Sequence, residues 1–133
     1  MANINNILLV EDDEDLRENL ALQLSLCGEF ETTICVDGIG GLNAVKEDRF
    51  DLIILDVGLP DLDGREVCRM MRKKGVVEPI IMLTAETSEG DTILGLNSGA
   101  NDYITKPFKF TVLETRIRAQ LRHQATKDLF FTG

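Results

Sequence analysis

The chain has no apolar run approaching the roughly 18 residues needed to cross a bilayer. Its start, MANINN, lacks the basic region and apolar core of a secretory signal. A membrane role is therefore not expected, and a cytoplasmic setting is. Positive charge is scarce: 14 Lys and Arg stand against 23 Asp and Glu, a formal net charge of -9. A nucleic-acid-binding surface needs basic patches that displace counterions, so none is expected of this chain. Cysteine is scarce and unpaired. Cys27, Cys35 and Cys68 form no CxxC motif, which argues against a zinc site or a disulfide framework. No Ser/Pro-rich linker divides the chain, and 133 residues suit one compact core with no second catalytic domain. The acidity suits divalent cations, basic partners or solubility.

What is present is a repeating pattern. Three short apolar runs, Ile7-Leu8-Leu9-Val10, Leu52-Ile53-Ile54-Leu55 and Ile80-Ile81-Met82-Leu83, have strand length and no alternation. This pattern marks strands covered on both faces, as in a parallel sheet. Thr32 to Val36 and Tyr103 to Thr105 are weaker strand candidates. Between the runs lie helical patterns. Leu16, Leu20, Leu24 and Cys27 share one helical face after an acidic first turn, and Gly28 ends that helix. Asp37 caps a helix reaching about Glu47, and Asp63-Gly64 opens one reaching about Lys74. Ser88 with Asp91 resembles a capping box ahead of Ile93, Leu94 and Leu96, closed by Gly99. A last helix runs from Val112 to about Gln124, with Leu113, Ile117 and Leu121 on one stripe. Strand and helix alternate five times, which predicts an α/β fold with helices on both faces of a parallel sheet. Residues 125–133 fit no sixth unit and are expected to be a frayed tail or the start of a linker.

In an open parallel sheet, ligands bind beyond the carboxyl ends of the strands. Glu11 and Asp12 follow the first run, Asp56 the second, Thr84 the third, and Lys106 the fifth strand. Taken singly, Glu11 to Asp15 reads as a helix N-terminus, Asp56 as a turn or cap residue, and Lys106 as a solvated lysine. Placed together after successive strands, they read as a site. Three converging carboxylates would repel one another and raise their pKa values. A hard divalent cation such as Mg²⁺ relieves this while keeping waters and accepting phosphate oxygens. Asp56, alone at its strand end, is the natural nucleophile for forming an acyl phosphate. Thr84 and Lys106 supply a hydrogen-bond donor and a positive charge for the phosphoryl oxygens.

The segments LLVEDDEDLR (8–17), DLIILDVGLPDLDG (51–64), IIMLTAE (80–86) and SGANDYITKPF (98–108) resemble the receiver domain of two-component response regulators over residues 5–124. The resemblance implies a doubly wound, flavodoxin-like five-stranded sheet of order 2-1-3-4-5. It implies that Asp56 accepts a phosphoryl group from a sensor histidine kinase. It also implies that Asp12 and Glu11, the latter through water, hold Mg²⁺ with the Gly58 carbonyl as a further ligand. Thr84 would be the switch hydroxyl, Lys106 the phosphate-binding lysine before a cis Pro107, and Tyr103 the aromatic that turns inward. The domain would thus span 1–124, controlling an output that is transcription if a DNA-binding domain follows. By the same resemblance, Gly58 and Glu86 flank the site and influence the lifetime of the acyl phosphate.

The chain is most similar to receivers that carry a winged-helix domain, which dimerise through the fourth helix, fifth strand and fifth helix. Arg116 of that network is present, but Asn101 and Val112 stand where acids are usual, which places such a homodimer in doubt. A basic stripe at Arg118, Arg122, His123 and Lys127 reads as a solvated face. Two rival readings exist. A phosphatase with an aspartate nucleophile needs a second acid two positions after the nucleophile, where this chain has Gly58. A constitutive interaction module would leave the five site side chains unused.

Overall fold

The computed structural model describes residues 4–85 and 97–131, with side chains to Thr126. Its strands are β1 (Asn5–Val10), β2 (Phe30–Cys35), β3 (Leu52–Asp56), β4 (Ile80–Thr84) and β5 (Asp102–Thr105). Its helices are α1 (Glu14–Leu26), α2 (Gly38–Glu47), α3 (Gly64–Lys73) and α4 (Phe110–Phe131). The expectations for Glu86, Ser88, Asp91, Ile93, Leu94 and Leu96 lie outside the described residues.

All strand pairs are parallel, in the order β2-β1-β3-β4-β5. Continuous apolarity in the central strands is explained by their alternation. Leu8, Val10, Ile53, Leu55, Ile80 and Met82 face one core with Leu42 of α2 and Val67 and Met71 of α3. Their neighbours Ile7, Leu9, Leu52, Ile54, Ile81 and Leu83 face the other, with Leu20 and Leu24 of α1 and Leu113 and Ile117 of α4. Each strand therefore feeds two cores, and every residue of β3 and β4 is buried. No described helix is long and apolar enough to cross a membrane.

The caps fall where the short polar residues lie. Asp13 Oδ1 accepts from Leu16 N, Asp37 Oδ1 from Gly40 N, and Asp63 Oδ1 from Arg65 N. The last helix departs from expectation: it begins at Phe110 and continues past Gln124 to Phe131. No breaker stands between Gln124 and Gly133, and the Thr126 hydroxyl donates to Arg122 O at 3.0 Å within the continuing turns.

Two contacts lock the loop that follows β3. Gly64 N donates to Val57 O at 2.8 Å, and a Cβ at Gly64 would lie 2.0 Å from Asp56 O and 2.7 Å from Val57 Cα. Only glycine lets α3 start this close to the strand. Across the loop, the Asp61 carboxylate accepts from Gly38 N at 2.8 Å and Ile39 N at 2.9 Å, tying the loop to the start of α2. These backbone donors hold the Asp61 carboxyl below its usual pKa.

Gly64→Ala should therefore destabilise by about 3 kcal/mol or more, since backbone blocks relaxation. A urea denaturation loss under about 1 kcal/mol would contradict the close approach. Asp61→Ala should lower the Tm at neutral pH. The native pKa lies below the unfolded one, so this contribution is full above the unfolded pKa and is lost as pH falls through the native value. The gap between wild type and Asp61→Ala should therefore shrink in acid; a pH-independent gap would contradict it.

Candidate functional site

The strand register alone brings the expected residues together. Val10 pairs with Leu55, so Glu11 follows level with Asp56. Asp56 pairs with Leu83 and Thr84 with Thr105, so Thr84 and Lys106 follow at the same edge. Glu11, Asp12 and Asp56 each offer an oxygen, and these oxygens lie within 4.8 Å of one another. Glu11 is fully buried, Asp56 and Thr84 are nearly so, and Asp12 is exposed.

Lys106 Nζ lies 2.9 Å from Glu11 Oε1 and 3.0 Å from Asp56 Oδ1, joining the ends of β1 and β3 to the residue after β5. Lys106 N also donates to Thr84 O at 2.6 Å, and the Lys106-Pro107 peptide is cis. Burial pushes the Glu11 carboxyl above its ordinary pKa, against the lowering effect of the Lys106 bond and of Asp13 N–H. Burial alone would lower the Lys106 pKa, but hydrogen bonds to Glu11 and Asp56 outweigh it and the net shift is upward. The pair is held as an ion pair in a poorly solvated place, where removing one partner is costly.

The acidic run after β1 divides its labour. Glu11 and Asp12 face the site, Asp13 caps α1, and Glu14 and Asp15 occupy the first helical turn. Arg17 Nη1 donates to the carbonyls of Glu11 and Asp12, each at 3.2 Å, fixing the backbone that carries both carboxylates. Sequence patterning did not single out Arg17 for this part, because an arginine in the first turns of a helix usually marks a solvated face. The clustered donors are all oxygen, three carboxylates with Asp12 open to water, and this suits a hard divalent cation. Next to Asp56, a Cβ at Gly58 would meet, among the described residues, only Asp56 Oδ2 at 3.8 Å.

Tyr103 packs against the α2/α3 core, and its hydroxyl is buried without a hydrogen-bond partner among the described residues. Arg116 finds an acid in its own chain, Asp102, at 2.8 Å. Asn101 lies elsewhere: its Oδ1 accepts from Arg72 and from Ile80 N. Arg118 is committed to Glu29 at 2.7 Å and Glu114 at 2.9 Å and stacks 5.3 Å above the Phe30 ring. It therefore belongs to the packing of α4 against the turn into β2 and not to a free basic stripe. The three cysteines carry free thiols, with Cys68 buried.

The model of the response regulator receiver domain matches residues 7–118. The chain is 48% identical over 122 residues to the transcriptional regulatory protein CseB of Streptomyces coelicolor, covering 92% of this chain and 51% of that protein. It is 50% identical over 116 residues to the DNA-binding response regulator MtrA of Mycobacterium tuberculosis, covering 87% of this chain and 50% of that one. The chain thus spans about half the length of these regulators. Among solved structures, it is similar to the BeF3-activated N-terminal receiver domain of Klebsiella pneumoniae RstA, with a TM-score of 0.82 and 34% identity over 89% of this chain and 99% of that one. The receiver domain of Francisella response regulator 1452 gives a TM-score of 0.86 at 30% identity, over 90% and 98%. Sheet order, strand-end residues and these matches agree: the chain belongs to the response regulator receiver domain family.

Proposed function

We propose that this chain is a phosphorylation-controlled signalling module whose phosphoacceptor is Asp56. The observation that carries the reading is the Lys106 ammonium within 3.0 Å of Asp56 at a cluster of three carboxylates. A sensor histidine kinase would supply the phosphoryl group. An Asp56 oxygen attacks phosphorus, the N–P bond of the phosphohistidine breaks, and the imidazole leaves with the electron pair. The product is an acyl phosphate that water later hydrolyses. Lys106 is placed to balance charge on the phosphoryl oxygens, and Thr84 is placed to donate to them. Mg²⁺ held by Asp12, Asp56, the Gly58 carbonyl and, through water, Glu11 would neutralise the carboxylates and orient the phosphoryl oxygens. Beside Lys106, Leu16, Ala85, Pro107 and Phe108 line an apolar groove on which a phosphodonor protein can seat.

Added negative charge at Asp56 would favour the state in which Thr84 and Lys106 meet it best, and Tyr103 would report the shift. The inward packing of Tyr103 supports its role in that change. The output is transcription through a DNA-binding partner domain, by analogy with the names of the relatives, and the setting is cytoplasmic. Dimerisation through β5 and α4 would be weak. Arg116 is already paired with Asp102, Asn101 is bonded to Arg72, and Val112 offers no charge.

Acetyl phosphate with Mg²⁺ should add one phosphoryl mass to the wild type and none to Asp56→Ala. An unmodified wild type would overturn the reading. Asp12→Asn should weaken Mg²⁺ binding by about tenfold or more in calorimetric titration, since one of few anionic ligands is lost. Equal affinity would remove Asp12 from the site. Beryllofluoride with Mg²⁺ should shift the Tyr103 amide; an unmoved Tyr103 would favour a constitutive interaction module.

A further inference from the structure

Arg72, in the last turn of α3, has no part in phosphoryl transfer as described, yet it ties three segments together. Its Nε donates to Gly99 O at 2.9 Å, and Nη1 donates to Val76 O at 2.9 Å and Glu78 O at 2.7 Å. Nη2 donates to Asn101 Oδ1 at 2.7 Å. The same Asn101 oxygen accepts from Ile80 N at 2.9 Å, and Asn101 N donates to Ile80 O at 2.8 Å. Gly99 has φ +105, and a Cβ there would lie 2.8 Å from Arg72 Cγ, so the backbone wraps closely around the arginine stem. One guanidinium thus joins the end of α3, the loop into β4 and the residues that lead into β5.

The strand that follows needs such an anchor. β5 has four residues and pairs with β4 alone, at the edge of the sheet. A short edge strand has a small ladder and a low opening cost. Its ends are fixed by Asn101 N to Ile80 O and by Lys106 N to Thr84 O. A slip of one residue would turn Tyr103 to the opposite face and carry the Lys106 ammonium away from Glu11 and Asp56.

We propose that Arg72 is a positioning residue for the phosphoryl site: by gripping Gly99 and Asn101 it fixes the register of β5, and so the placement of Lys106 against Asp56. The importance of that placement rests on the reading of Asp56 above, whereas the register claim stands on geometry alone. Among the described residues, the acceptors of Arg72 are neutral oxygens, so Asn101→Asp would give it a carboxylate and a stronger, charge-assisted bond.

The test is amide hydrogen exchange on the whole chain with no phosphoryl donor. It reads Asn101 and Lys106 at the two ends of β5 and Glu11, bonded to Cys35 O at 3.0 Å, as reference. Arg72→Gln should speed exchange at both Asn101 and Lys106 by about tenfold while leaving Glu11 within about twofold. Arg72→Lys should fall between, and Asn101→Asp should slow Lys106. Faster exchange confined to Asn101 would reduce Arg72 to a local contact and overturn the proposal, as would equal acceleration of all three amides. If Arg72→Gln does not fold, unchanged exchange at Lys106 in Asn101→Asp overturns it. In a parallel arm, Arg72→Gln should slow labelling by acetyl phosphate severalfold, with partial rescue in Arg72→Lys. Absence of label on the wild type would count against the Asp56 reading, and the exchange arm, which uses no donor, would still decide the role of Arg72.

Discussion

A buried carboxylate at the end of β1 and another at the end of β3 are held side by side by the Lys106 ammonium, 2.9 and 3.0 Å from them. Without that ammonium, two charges would face each other in a place where water cannot screen them, and folding would have to protonate one or push them apart. Burial pushes the Glu11 carboxyl above its ordinary pKa, against the lowering pull of that ammonium. The acids of such a site can hold a hard cation, and its ammonium can meet a new anion on Asp56. The concentration of charge that burdens folding is the same feature that suits phosphoryl transfer.

The rest of the molecule serves that meeting point. Both faces of β1, β3 and β4 are covered by helices, so these strands form a rigid floor whose carboxyl ends align within one residue. Gly64 presses α3 against the end of β3, and Asp61 ties the intervening loop to α2, which holds the backbone around Asp56 and Gly58. Arg17 fixes the carbonyls of Glu11 and Asp12 from below. The fifth strand is the weaker element, short and at an edge, and Arg72 steadies it from the far end of the sheet.

The parallel sheet was legible because unbroken apolar runs of strand length have few other homes, and the site was legible because polar residues follow each run directly. Glu11, Asp12, Asp56, Thr84 and Lys106 are placed together as expected, and Asp13, Asp37 and Asp63 cap the helices they precede. What escaped notice acts across long sequence separations onto backbone. Asp61 to Gly38 and Arg72 to Gly99 leave no periodic mark, since a surface charge looks the same whether solvated or bonded to a distant carbonyl. Asn101 stands where the resemblance expects an acid near Arg116, whereas its oxygen serves Arg72 and Ile80, and Asp102 takes Arg116. The last helix runs past the expected end near Gln124 to Phe131, with no glycine or proline between them to break it.

The claim at the centre is that one ammonium balances two buried carboxylates. It is tested most directly by following the Glu11 carboxyl carbon by NMR through an acid titration of metal-free wild type and Lys106→Met. The account expects a wild-type midpoint above the ordinary glutamate value and a higher one in Lys106→Met, where the lowering influence of the ammonium is gone. A midpoint at or below the ordinary value, unmoved by the substitution, would contradict it.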